Sequence, residues 1–335
     1  MKDRKKDHIS LAFDSQLSKD QLDQRFQYDP LFTPHPGNSM NFNFDLAGKT
    51  VHSPFWVSSM TGGTEKAGFI NKNLAKACKK YKMGMGLGSC RILLEQPEYF
   101  PDFDMRTVLG EDLPLLANIG IAQLEKTIAN NTWDDWNGII TKLRADGLII
   151  HVNPLQEWMQ PEGDQIKAPP IDTIKKAVDK LDFPIIVKEV GQGMGRQSLE
   201  SLLELPLEAI DFAANGGTNF TLVELLRSDE IKAEVFSKLA GIGHSAEEMV
   251  DYINDITLAS KSTIKCKKVI ISGGIKHFLD GFYLHQKCQL PSLIGQASTL
   301  LKKALLSYDD LDHFLHLQHQ GWMLSQNYLT LKPKQ

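Results

Sequence analysis

At 335 residues, 42% hydrophobic and 23% charged, the chain is ordinary globular material, long enough for two average domains or one α/β barrel. A formal net charge of -4 argues against nucleic acid as the main partner, since phosphate binding favours a basic footprint. No apolar stretch approaches the roughly 18 residues of a membrane span, and the opening MKDRKKDHIS lacks the apolar run of a signal peptide. Cys78, Cys90, Cys266 and Cys288 lie far apart without a Cys-x-x-Cys pair. Free thiols in a reducing, cytoplasmic setting are therefore expected.

Residues 1–50, with Pro30, Pro34, Pro36 and Gly37, read as an N-terminal arm plus loops. Apolar strand candidates then recur at 55–59, 83–89, 115–120, 147–153, 184–190, 208–214, 268–274 and 291–297. Most are continuous apolar runs, as strands buried on both faces should be. Helical periodicity lies between several of them. The segment 66–81 sets Phe69, Leu74, Ala77 and Cys78 near one face, 170–181 repeats Ile171, Ile174, Val178 and Leu181, and 298–308 gives another helix. The alternation predicts an α/β fold, a single (β/α)8 TIM barrel over 1–335, with a doubly wound open sheet as the alternative. Residues 215–265, after the sixth strand, exceed a βα unit and are expected to form a lid or extra helices. Residues 308–335, with Leu311, Phe314, Leu315 and Leu317, predict one packed helix and a frayed end.

In a barrel, function sits where the strands end and the loops begin. Polar and glycine-rich residues cluster there: SSMTGG at 58–63, GSCR at 88–91, Asn118, then His151, Asn153, Gln156 and Glu157 after the fourth strand. Lys188 and Glu189 lead into GQGMG at 191–195; NGGTNF (215–220), SGGIK (272–276) and GQA (295–297) follow. A Gly-Gly exit after strand seven with a Gly-x-Ala exit after strand eight is a common phosphate cradle, and Lys276 adds a cation. Lys188, inside a strand pattern, suits an anionic or electron-rich ligand, such as the N1 side of a reduced flavin. His151 and Asn153, two apart on a strand, share a side. Glu157 is a candidate Mg²⁺ ligand, because Mg²⁺ typically takes one or two carboxylates beside phosphate oxygens. Arg4, Lys5, Lys6 and His8 form a basic cluster that reads either as a solvated tail or as a clamp on a diphosphate.

Taken together, RKKDHI (4–9), SSMTGG, GSCR, HVNPLQE (151–157), VKEVGQGMG (187–195), GGTNF (216–220) and SGGIK resemble one family. That family is the flavin-dependent type 2 isopentenyl-diphosphate Δ-isomerases. The resemblance spans nearly the whole chain and implies an FMN-bound barrel that interconverts isopentenyl and dimethylallyl diphosphate. It also implies reduced FMN as the acid–base cofactor, NADPH as its reductant, Mg²⁺, and a homotetramer or homo-octamer. By position it implies FMN contacts at Ser58, Ser59, Met60, Thr61, Ser89, Asn118, Lys188 and Thr218, with the phosphate on Gly274, Ile275, Lys276, Gln296 and Ala297. It places the substrate among Arg4, Lys5, His8, Ser89, Cys90, Arg91, His151, Asn153 and Gln156, and Mg²⁺ on Glu157. Gln156, His151 and Lys188 are the implied catalytic set, with Gln156 orienting rather than donating, since glutamine is a poor acid. The chain departs from the family at Cys90 (usually Gln), Lys276 (usually Arg), Phe220 (often Trp) and CQLPS at 288–292. The rival readings are an FMN-dependent 2-hydroxy-acid oxidase or dehydrogenase, which shares the barrel and the flavin lysine, and a non-catalytic flavin- or phosphate-binding protein.

Overall fold

The computed structural model describes residues 2–59, 62–259 and 262–333. Twelve strands are present among these residues. β1 (Phe26–Tyr28), β2 (Phe44–Leu46) and β3 (Lys49–Val51) precede the barrel strands β4 (Phe55–Val57), β5 (Met85–Gly86), β6 (Leu115–Gly120) and β7 (Gly147–His151). β8 (Ile185–Lys188), β9 (Ala209–Asp211), β10 (Val269–Ser272) and β11 (Ser292–Gln296) complete the barrel, and β12 (Leu329–Leu331) lies near the end of the chain. β4 to β11 form one closed barrel, each strand paired in parallel with its sequence neighbour and β11 returning to β4. All eight fall inside the predicted segments, and the open-sheet alternative is excluded by closure. The predicted segment 83–89 contributes only the two residues Met85 and Gly86 to the ladder.

Burial explains why the strands are apolar throughout. Leu148, Ile149 and Ile150 of β7 are all at 0–1% exposure, because helices cover the outside while side chains fill the barrel. Each such side chain contributes about 1.5–3 kcal/mol of burial. Inside, Trp56, Leu116, Ile149, Ile186, Ala209, Ile270 and Leu293 form one cluster with Phe44, Leu46 and Val51 of the antiparallel β2–β3 hairpin. The hairpin thus plugs one end of the barrel with apolar side chains. The Ala47 amide donates to Glu208 at 2.9 Å, Lys268 pairs with Glu208 at 2.6 Å, and Lys49 pairs with Asp146 at 2.5 Å around this plug.

At the periphery two expectations change and one holds. Phe69 is half exposed, and the buried face of helix Glu65–Tyr81 runs instead through Ala67, Ile70, Leu74, Ala77 and Cys78. Within the described residues the tail is paired rather than frayed: after helix Tyr308–Tyr328, β12 pairs antiparallel with β1 and ties the arm to the tail. The long segment after β9 holds extra helices as expected, Phe220–Arg227, Glu230–Ala240 and Ala246–Ala259.

Candidate active site

Away from the hairpin plug, the strand exits of β4 and β8–β11 surround a cavity of about 380 Å³. Its wall includes Ser58, Ser59, Lys188, Thr218, Phe220, Ser272 and the loops 273–276 and 295–298. Backbone geometry makes this cradle. Gly273 has φ +90°, and a Cβ there would lie 2.0 Å from the Ala214 carbonyl oxygen. At Gly295 a Cβ would meet the Ser58 hydroxyl at 2.6 Å and the Ser272 Cβ at 2.7 Å, so only glycine fits between the two serines. Helix Ser298–Leu306 starts directly at the cavity, with its first amides free for an anion. Ser59 Oγ and both side-chain polar atoms of Gln296 are buried without a partner among the described residues. Buried polar groups are normally satisfied, so these unmet atoms fit a polar ligand in the cavity.

Lys188 ends β8, is 8% exposed, and donates to the Glu189 carbonyl at 2.7 Å. Glu189 is not its ion-pair partner. One Glu189 carboxylate oxygen accepts the amides of Gly191, Gln192 and Gly193 at 2.7, 2.6 and 3.0 Å and so shapes the glycine loop. Burial raises the Glu189 pKa despite these donors.

The exits of β5, β6 and β7 are occupied differently. Asn118 donates through Nδ2 to the Leu87 carbonyl, which fixes its amide so that Oδ1 faces His151 Nδ1 at 2.6 Å. His151 therefore carries its proton on Nδ1 and leaves Nε2 bare. Burial, then the nearby Lys188 charge, lowers its pKa to about 3. His151 is thus neutral. Pro154 starts the short helix Pro154–Met159 directly after β7, placing Gln156 and Glu157 one turn on from Asn153. Asn153 Nδ2 donates to Gln156 Oε1 at 3.1 Å and to Glu157 Oε1 at 3.0 Å, while Asn153 Oδ1 finds no partner among the described residues. Gln156 Nε2 donates to the buried Glu224 at 3.3 Å, and Glu224 is held by Arg227 at 2.5 Å. The other Glu157 oxygen accepts the Asp164 amide at 2.8 Å. The Asp164 carboxylate gathers Arg91 at 3.3 Å, Gln123 at 2.8 Å and Lys126 at 2.5 Å. Burial pulls the Asp164 pKa up, but Lys126, Arg91 and Gln123 outweigh it and the net shift is down.

The structure brings Ser58, Ser59, Lys188, Thr218, Gly274, Ile275, Lys276, Gln296 and Ala297 to one cavity. Met60 and Thr61 lie outside the described residues. Asn118 spends its side chain on Leu87 and His151 rather than in the cavity wall, and Ser89 is exposed beyond it. Cys90 is a correction: its side chain is fully buried in the core, with its pKa pushed up to about 12 by burial, so its thiol is not offered to a substrate. Arg4, Lys5 and His8 are exposed on helix Lys2–Leu11, and none forms an ion pair or hydrogen bond to the barrel among the described residues. No group of three or more metal-ligating side chains occurs among the described residues. The sequence reading missed Asp164, Asp211, Glu224 and Ser272. A lone aspartate inside the apolar run 208–214 was the signal available for Asp211.

No helix among the described residues is long and apolar enough to cross a membrane. No family model matches the chain. Among curated proteins, the isopentenyl-diphosphate delta-isomerase of Rickettsia peacockii (strain Rustic) is 35% identical over 245 residues, covering 73% of this chain and 68% of that protein. The protein of the same name from Synechococcus sp. is 33% identical over 317 residues, covering 93% of this chain and 87% of its own length. Among solved structures, the flavin-binding domain of baker's yeast flavocytochrome b2 superposes with a TM-score of 0.61 at 13% identity, covering 90% of this chain and 71% of that one. A mandelate oxidase bearing an FMN adduct gives 0.53 at 10% identity, covering 92% and 88%. At such identities the two structures share the fold alone.

Proposed function

The chain belongs to the isopentenyl-diphosphate delta-isomerase family and is an isomerase, and from that premise we propose that it interconverts isopentenyl and dimethylallyl diphosphate with reduced FMN and Mg²⁺. The observation that carries the reading is the division of one barrel mouth into a cavity with unmet polar atoms and, beside it, a linked Asn153–Gln156–Glu157 set.

FMN fits the cavity chemically. Ser58, Ser59, Lys188 and Thr218 would hold its ring, and Gly274, Ile275, Lys276, Gln296, Ala297 and the start of helix Ser298–Leu306 its phosphate. When bound and reduced, FMN supplies the proton-exchanging centre for moving the double bond, with NADPH as the proposed reductant. Lys188, in the cavity wall, would favour negative charge on a ligand bound there. Gln156 is clamped at both ends of its amide, by Asn153 and Glu224, so it orients an allylic chain rather than acting as an acid. Mg²⁺ fits the donor set of the Glu157 carboxylate and the unpartnered Asn153 Oδ1, both hard oxygens, with the diphosphate completing the shell. Arg91 carries the anion's charge, while His151, neutral with a bare Nε2, contributes an acceptor. We further propose one barrel domain in the cytoplasm, no nucleic-acid partner, and a homo-oligomer in which the exposed Arg4, Lys5 and His8 reach a mouth.

A 2-hydroxy-acid oxidase would need arginines free for a carboxylate. Arg196 is paired with Asp255, and Arg227 with Glu162 and Glu224. Purified protein is expected to be yellow and, reduced anaerobically with Mg²⁺, to isomerise isopentenyl diphosphate. Protein that takes up no FMN sinks the flavin assignment. Yellow protein that oxidises lactate or glycolate and leaves isopentenyl diphosphate untouched establishes the oxidase instead.

A further inference from the structure

The floor of the cofactor cavity holds a carboxyl group that none of the roles above uses. Asp211 closes β9 and is completely buried. One of its oxygens accepts the Ser272 hydroxyl, and the other accepts the Ser58 hydroxyl at 3.3 Å. Ser272 Oγ itself accepts the Ala213 amide at 2.8 Å, which leaves the serine's own proton for Asp211. Both serines line the cavity, and the missing Cβ of Gly295 lets them converge. Asp211 therefore ties the exits of β4, β9 and β10 together directly beneath the site.

Strand register adds the second observation. Asp211 of β9 stands opposite Lys188 of β8, which stands opposite His151 of β7. Lys188 makes no ion pair among the described residues, and the adjacent Glu189 carboxylate is occupied by the three loop amides. A buried ammonium and a buried carboxylate thus lie opposite each other on neighbouring strands, and neither forms an ion pair among the described residues. Buried charges persist where something compensates them, and Asp211, facing Lys188 across the ladder, supplies such a counter-charge.

We propose that Asp211 is a positioning residue of the cofactor site: its carboxylate is the counter-charge that holds Lys188 and the two serine hydroxyls in place, and so sets how strongly the cavity favours a reduced over an oxidised flavin. This rests on the FMN reading above. Burial raises the Asp211 pKa, and Lys188 is the first of the groups that pull it back, followed by Ser272 and Ser58, so the two charges are electrostatically coupled. The physical consequence has a sign. Removing the negative charge leaves the Lys188 field less compensated, and a less compensated cation stabilises the anionic reduced ring more than the neutral oxidised one.

The test is Asp211→Asn in the full-length FMN-loaded protein, with the flavin midpoint potential measured by anaerobic titration against a reference dye. The ratio of reduced-to-oxidised FMN affinity is expected to rise about tenfold, which moves a two-electron potential upward by about 30 mV. In a Lys188→Met background the same substitution should move the potential much less, because Asp211 acts through that lysine. An unchanged potential with FMN fully bound overturns the proposal while leaving the isomerase reading intact. Wild-type protein that binds no FMN overturns the functional reading itself. Asp211→Ser, smaller and likewise uncharged, makes the same prediction if the asparagine variant fails to fold. Loss of folded protein in both variants assigns Asp211 to architecture and also overturns the proposal.

Discussion

Two halves of one barrel mouth are built by different means. On the side of β4 and β8–β11 the backbone makes the site: glycine loops, helix starts and a cavity wall whose Ser59 and Gln296 side chains have unmet hydrogen bonds among the described residues. On the side of β5–β7 side chains make it: Arg91, Asn118, Gln123, His151, Asn153, Gln156, Glu157, Asp164 and Glu224 are bonded to one another or to the backbone. A backbone cradle is rigid before its ligand arrives and suits a cofactor that stays. A side-chain network can shift around an arriving ligand, with Asp164 holding Arg91, Gln123 and Lys126 in position. Damage should differ accordingly: backbone changes on the first side cost the fold and the cofactor, and side-chain changes on the second cost substrate binding with the cofactor retained.

The largest effect is expected from Gly273→Ala. A left-handed backbone costs about 1–3 kcal/mol for a residue with a side chain, and the new Cβ would also collide with the Ala214 carbonyl oxygen at 2.0 Å. The variant should melt well below the wild type and purify without flavin absorbance. A yellow variant with an unchanged melting temperature would break the comparison, since the cradle would then tolerate a side chain.

Asp164→Asn comes next and probes the other half. It removes the charge that gathers Arg91, Gln123 and Lys126 but keeps the backbone amide that holds Glu157. A hydrogen bond to a charged group is worth about 1.5–3 kcal/mol, so KM for isopentenyl diphosphate should rise roughly ten- to a hundredfold. FMN content should stay at the wild-type level. Loss of FMN in steady proportion to activity would show that the halves are one unit.

A smaller effect concerns acid stability. His151 has its pKa held at about 3, below its ordinary 6.5, because it is buried and lies beside the Lys188 charge. Its depressed value contributes stability that is complete above pH 6.5 and is lost as pH falls towards 3, because the unfolded chain takes a proton the native one refuses. His151→Gln removes that term, so the slope of unfolding free energy between pH 6.5 and pH 4 should flatten by up to about 1.4 kcal/mol per pH unit. Denaturant titrations at four or five pH values would measure it. An identical slope in the variant means that His151 is solvated enough to protonate in place.

The sequence was most legible where a physical constraint acts on each residue separately. A strand covered by helices must be apolar at every position, so eight such runs announced the barrel, and a chain that must turn tightly at a strand exit announced itself by glycine at 273, 274 and 295. Constraints that join distant residues were not legible. The pairing of β1 with β12 rests on two three-residue strands some 300 positions apart, and three residues carry no detectable period. Glu224 could not be distinguished from a surface glutamate in the helical run 220–227; only the packing of that helix brings it to Gln156. Cys90 failed in the opposite sense: its neighbours Ser89 and Arg91 read as site residues, and adjacency in the loop hid the inward turn of the thiol. Position in a motif fixes the backbone more firmly than it fixes which way a side chain points.

The smallest effect tests how far the cradle depends on its one added cation. Lys276 is exposed, and its only hydrogen bond among the described residues comes from its backbone amide, which donates to Asp280 at 3.4 Å. An exposed charge contributes about 0.2–1 kcal/mol, so Lys276→Ala should weaken FMN binding only a few-fold and leave the melting temperature of the FMN-free protein where it was. If backbone amides carry the phosphate, raising the salt concentration should shrink even that difference. A hundredfold loss of FMN affinity would mean that the lysine, not the backbone, holds the phosphate, and the contrast between the two halves of the mouth would then narrow to one of shape alone.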